Sequence, residues 1–196
     1  MLCRECEERI GKAEDYVSSV SLQSDGSFPA YGDTVLIPMG LDPDWELGNA
    51  SALDCEAIAY FAASIVWRAS VSTLYSKISL GSKYESKFRD YLLGKAPFPK
   101  EARLLVEFIR PANLPRIDRV VVMPEVQRED TSHLYQFCIF GMRFRLLVGR
   151  LVPSVFNHAS FVETRYVILS DGRDLLSVVA DKAKRATRKG RLARPK

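Results

Sequence analysis

The chain of 196 residues has the length of one large domain, and its 47% apolar composition, with 10 Phe, 8 Tyr and 2 Trp, supplies the side-chain volume of a substantial core and excludes wholesale disorder. The net charge of +4 conceals an asymmetry, because eight of the 28 basic residues lie between Lys182 and Lys196 with no acid among them, leaving 20 bases against 24 acids elsewhere. The longest uncharged apolar run in the central region, Ala57 to Trp67, is about half of the ~20 residues a membrane-spanning helix needs, and the opening Met1-Leu2-Cys3-Arg4-Glu5-Cys6 lacks the apolar stretch of a secretion leader. The expectation is a cytoplasmic protein with no membrane partner, in which Cys3, Cys6, Cys55 and Cys138 are thiols or metal ligands.

From the N-terminus, Cys6, Ile10, Ala13, Val17 and Val20 recur at steps of four and three, which predicts a helix packed by one face. Between Ser24 and Gly48, Gly and Pro interrupt every period, which predicts a long connection with at most a short strand at Thr34 to Ile37. Ala52 to about Ala69 is apolar nearly all round and reads as a buried central helix. Ser82 and Glu85 have capping-box spacing at the start of a further helix, which Gly94 closes in the left-handed region before Pro97 and Pro99.

The second half changes character. Leu104 to Ile109, Val120 to Met123, Tyr135 to Phe140, Phe144 to Val148 and Phe161 to Leu169 are short runs rich in β-branched and aromatic residues, which predicts a mostly antiparallel sheet. Gly141-Met142 suits a hairpin with glycine first, and Ser170-Asp171-Gly172-Arg173 suits a turn. A last helix from about Asp174, burying Leu175, Val178, Val179 and Ala183, leads into the basic tail. The fold class is thus α+β: N-terminal helices packed on a mostly antiparallel sheet, with residues 1–180 forming one domain and residues 181–196 a basic C-terminal helix or tail.

Cys3-Arg4-Glu5-Cys6 at a helix start places two thiols where they can grip one zinc and where the helix dipole favours the thiolate. A structural zinc takes four ligands, so two more must come from Cys55, Cys138, His133, His158 or another chain. Neither His133 nor His158 lies in a motif that orients it for acid-base chemistry, which suits a strand-end or surface position. Asp118 with Glu125-Val126-Gln127 loosely resembles carboxylates that hold magnesium against a phosphate. Arg143-Phe144-Arg145 and Arg165-Tyr166 suit stacking on bases beside phosphate contacts, and they equally suit a half-buried strand. The stronger nucleic-acid candidate is the tail, with Lys182, Lys184, Arg185, Arg188, Lys189, Arg191, Arg194 and Lys196 as phosphate contacts; the plain alternative is a solvated terminus.

Leu2-Cys3-Arg4-Glu5-Cys6-Glu7, then Trp67-Arg68-Ala69-Ser70-Val71-Ser72, then Leu80-Gly81 with Glu85, Arg89, Leu92 and Leu93, and finally Leu169-Ser170-Asp171-Gly172-Arg173 follow one another in a familiar order. Over most of its length the chain resembles a group of uncharacterised bacterial and prophage proteins related to HNH endonucleases. The resemblance implies that Cys3 and Cys6 correspond to the second half of a zinc-binding unit, whose first half would lie ahead of residue 1. The chain departs from the nuclease pattern in that no segment of it offers the histidine together with the metal ligands that cleavage requires.

The functional expectation is a catalytically silent HNH-related protein that binds nucleic acid or a nucleoprotein complex through its basic tail. It carries no cofactor, or zinc if further ligands complete the site at Cys3 and Cys6. One alternative is a phage or mobile-element protein that docks on and inhibits a host defence complex; another is a metal-dependent nuclease.

Overall fold

Strands whose large apolar side chains recur at every second position must bury one face, and those of the second half do so together. In the computed structural model these five strands join two from the first half in a seven-stranded sheet ordered β1-β2-β7-β3-β6-β5-β4. The structure describes residues 4–37, 45–73, 78–110, 117–128, 131–150, 158–173, 175, 177, 180, 184, 187 and 188. The strands are β1 Val35–Ile37, β2 Trp45–Asn49, β3 Ala102–Ile109, β4 Val121–Arg128, β5 Ser132–Ile139, β6 Met142–Gly149 and β7 Tyr166–Ser170. All pairings are antiparallel except β3 with β7. The helices are α1 Arg4–Val20, α2 Pro29–Gly32, α3 Cys55–Val71, α4 Gly81–Leu92 and α5 Phe161–Thr164. The α+β class expected from the sequence is therefore the one observed, with the N-terminal helices against a mostly antiparallel sheet.

The helices sit on one face. Register places Val106 beside Phe144, Leu104 beside Leu146, and Phe137 beside Phe144 on that face. The Phe137 and Phe144 rings stack at 4.7 Å, and Phe61 of α3 meets both from above. Phe144, Phe108, Leu104 and Leu146 are buried; burying each such side chain is worth roughly 1.5–3 kcal/mol. Helix α3 has buried residues around most of its circumference, including Ile58, Phe61, Ala62, Ala63 and Val66. Its small residues let α1 pack closely through Ile10, Ala13 and Val17. Asp54 caps α3 by accepting from the Ala57 N–H at 2.9 Å.

Four local expectations need correction. The stretch from Ser24 to Gly48 is more than a connection, since it contributes β2 and the short helix α2. The Gly and Pro residues that break its periodicity serve the fold there: Pro29 opens α2, and a Cβ on Gly48 would meet Thr34 Cγ2 at 2.3 Å where the chain crosses back. The run Phe161 to Leu169 is split, because Phe161–Thr164 forms a helical turn that ends with Arg165 in the left-handed region before β7 begins. Ser82 does not cap α4; the helix starts one residue earlier, and the Ser79 hydroxyl accepts from the Gly81 N–H. The β5–β6 hairpin is shifted by one: Ile139 pairs with Met142, so Phe140 and Gly141 are the loop, both at positive φ. The strain at Phe140 (φ 44°) is held by docking, its carbonyl accepting from the Leu22 N–H and that of Gly141 from the Ile109 N–H. Gly94 does close α4 as expected, with the Lys95 N–H reaching the Asp90 carbonyl.

Candidate nucleic-acid interface

The side chains that alternate with the helix-facing set point to the opposite face of the sheet, and there the chemistry is different. Glu107 sits among Leu104, Leu105, Val106, Phe108 and Ile109 in β3 and is only 2% exposed. A carboxylate that deep must be compensated. Arg145 of β6 donates from Nη2 to Glu107 Oε2 at 3.0 Å, Arg143 Nη1 lies 3.6 Å from the same oxygen, and the Ser170 hydroxyl of β7 donates to Oε1. The chain of contacts continues across the sheet: Arg143 Nη2 donates to Gln136 Oε1 at 3.2 Å, and Gln136 Nε2 donates to Glu125 Oε1 at 2.8 Å. Five adjacent strands, β7, β3, β6, β5 and β4, are thus crossed by one polar ladder. Arg143 and Arg145, which suited phosphate contact by sequence, are turned toward this ladder instead.

The ladder ends beneath the start of the basic arm. Strand β7 passes into a turn in which the Gly172 N–H donates to Ser170 Oγ at 3.2 Å and the Arg173 N–H donates to Asp171 Oδ1 at 3.0 Å. Arg173 Nε also pairs with Asp171 Oδ2 at 2.5 Å. The turn expected at Ser170 to Arg173 is present. Leu175 then seats on the sheet, 3% exposed, lining a small cavity with Val122, Glu125, Gln136, Cys138 and Arg143. Positions 173, 175, 177, 180, 184, 187 and 188 all have α-helical backbone. Lys184 and Arg188 are exposed. Val178, Val179 and Ala183, and of the expected phosphate contacts Lys182, Arg185, Lys189, Arg191, Arg194 and Lys196, lie outside the described residues.

The candidate metal ligands are dispersed. Cys3 lies outside the described residues. Cys6 is half-buried on α1 near Tyr60 of α3. Cys55 begins α3 and donates its thiol to the Ala50 carbonyl at 3.4 Å; burial pushes its pKa up. Cys138 is on the ladder face of β5, where burial pushes its thiol up to about 12 against the pull of Arg143. His133 stacks on Tyr135 in β5, and His158 is exposed in the turn before α5. Among the described residues, no three or more His, Cys, Asp or Glu side chains gather as a metal site. Glu125 is engaged by Gln136, and Asp118 falls in a short 3-10 helix at Ile117–Arg119.

A separate groove of about 390 Å³ runs along the same β4 edge of the sheet on the helix side, between β4 and α3. Phe61, Ile65, Val121, Met123 and Ile139 line it, and the ion pair of Arg68 with Glu14 stands at its wall. Val121 and Met123 in its lining are both 52% exposed. Among the described residues, no helix is long and apolar enough to cross a membrane.

Sequence reasoning missed the ladder, although a signal was present: one glutamate inside an otherwise apolar strand, and two arginines alternating with Phe144 in another, demand each other's company. Set against family models, curated proteins and solved structures, the chain matches none.

Proposed function

We propose that the chain is a non-cleaving, cytoplasmic protein, related to HNH endonucleases, that binds nucleic acid or a nucleoprotein complex through its basic C-terminal arm. The observation that carries this is the charge distribution: eight bases and no acid from Lys182 to Lys196, beside a remainder that is net acidic. Such a segment gains affinity for polyphosphate by releasing counterions, while the acidic remainder is repelled, so contact is confined to the arm. The test is a mobility shift at several salt concentrations with the full chain and with a chain truncated after Ala180. Loss of binding on truncation is expected, and unchanged binding contradicts the proposal. A plasmid incubated with the protein and magnesium, manganese or zinc is expected to remain intact. Zinc enters only if ligands beyond Cys3 and Cys6 complete the tetrahedron; metal analysis of the purified protein beside a Cys3→Ala, Cys6→Ala variant reads this directly.

One observation favours a second reading, docking on a host defence complex. The groove lined by the exposed Val121 and Met123 with Ile65 and Ile139 is of the kind that protein partners cover. A stable complex with such a partner, disrupted by Met123→Glu and indifferent to the loss of the arm, distinguishes it from the first.

A further inference from the structure

Phe61, Ile65, Arg68, Ala69 and Ser72 recur at helical spacing, so the groove between β4 and α3 follows a single stripe of α3 to its end. A second cavity of about 250 Å³ shares Phe61, Ile65 and Ile139 with it and carries the same trough on to Val17 and Phe140. From Phe61 to Ser72 the stripe is about 16 Å long, the length of about three helical turns. Val121 and Met123 border it from β4, half of each side chain still open to solvent.

Strand β4 ends the strand order, yet its edge is closed to a further strand. Pro124 has no N–H to give a ladder, and the register slips between Val122 and Glu125. An occupant of the trough must therefore bring a backbone whose hydrogen bonds are already satisfied, as a helix does. Charge at the rim narrows the choice further. Helix α1, whose Glu14 and Val17 line the trough, has five acids against three bases, and the ion pairs of Glu5, Glu8 and Glu14 leave Glu7 and Asp15 exposed. Asp15 adjoins Glu14 at the rim, and Glu7 lies about two turns away on the stripe of Glu14.

We propose that the trough takes a basic amphipathic helix of a partner protein, about three turns long, with its apolar stripe on Phe61, Ile65, Val121 and Met123 and its bases toward α1. The proposal rests on the docking reading above and adds the chemistry of the partner. Apolar contact supplies the affinity, and the acidic rim selects the sign of the partner and speeds encounter.

Three fluorescently labelled peptides of about 14 residues, titrated with the full chain and followed by anisotropy, test this. The first has leucines at i, i+3, i+4 and i+7 with lysines elsewhere, the second keeps that spacing with glutamates, and the third alternates leucine with lysine as a strand would. One-to-one binding of the first, about tenfold tighter than of the others and weakening as salt rises, is expected. Val121→Thr with Met123→Thr, at two exposed positions and with charge unchanged, is expected to weaken it about tenfold, while thermal unfolding shows that the fold is kept. If the acidic helix or the alternating peptide binds best, and through Val121 and Met123, the proposal is wrong and the docking reading stands. If the double variant binds the first peptide like the parent, or if no peptide binds, the proposal is wrong, and the docking reading rests on the defence complex alone. Self-association of the chain that the double variant abolishes names a second copy as the occupant and also overturns the proposal.

Discussion

The two faces of the sheet are built from the same strands by the same alternation, yet they are held together by different forces. On the helix side, Phe61, Phe137 and Phe144 interlock with Leu104, Val106 and Leu146, and the stabilisation is apolar area withdrawn from water. On the other side, Glu107, Arg143, Gln136 and Glu125 form a ladder in which each member is tolerable only because its neighbours are present. An apolar face degrades gradually as volume is removed, whereas a buried ionic face fails when one partner goes and recovers when all go.

The largest expected effect follows from that difference. Glu107→Ala leaves Arg143 and Arg145 facing an empty site, with the Arg143 side chain only 8% exposed, and is expected to lower stability by about 3–5 kcal/mol in denaturant unfolding. Combining Glu107→Leu with Arg143→Met and Arg145→Met is expected to restore most of the loss; failure to restore it means that the ladder is more than compensated charge. Leu146→Ala on the helix face is expected to lose about 3 kcal/mol through the cavity it opens, with no polar change able to recover it. Asp54→Ala, which uncaps α3 above that face, is expected to lose about 1 kcal/mol.

The effect that is smallest at neutral pH, and emerges only in alkaline solution, belongs to the ladder face. Burial holds the Cys138 pKa up at about 12 in the folded chain against 9.0 for an ordinary thiol. Between those values the unfolded chain releases the proton while the folded chain keeps it, so this thiol's contribution is intact below about pH 9 and declines as pH rises toward 12. Cys138→Val is expected to make the alkaline fall in stability less steep, as followed by unfolding midpoints across that window. An unchanged profile means that Cys138 does not feel the burial assigned to it.

The helix face was legible because periodicity reports burial directly: Ile10, Ala13 and Val17 recur as a helix stripe, and Phe144 and Leu146 as a strand face. The ladder was not, because strand alternation says that Arg143 and Arg145 share a side but not what lies across from them. Only the register of β3 against β6, set between segments far apart in sequence, brings Glu107 opposite Arg143. Strand β2 escaped notice for a related reason, since Gly48 answers to the approach of Thr34 and not to a local period. The arm was legible as charge and illegible as geometry: its bases stand out in the sequence, while the seat of Leu175 against β4, β5 and β6 depends on the assembled sheet.

The dependence of affinity on salt tests the central claim most directly, measured for the intact chain on a random-sequence duplex from about 50 to about 200 mM monovalent salt. A straight, steep decline of log affinity with log salt is expected, with a slope near −0.9 for each phosphate engaged by the arm. An affinity indifferent to salt, or none at the lowest salt, contradicts a protein that grips nucleic acid by its C-terminal charge.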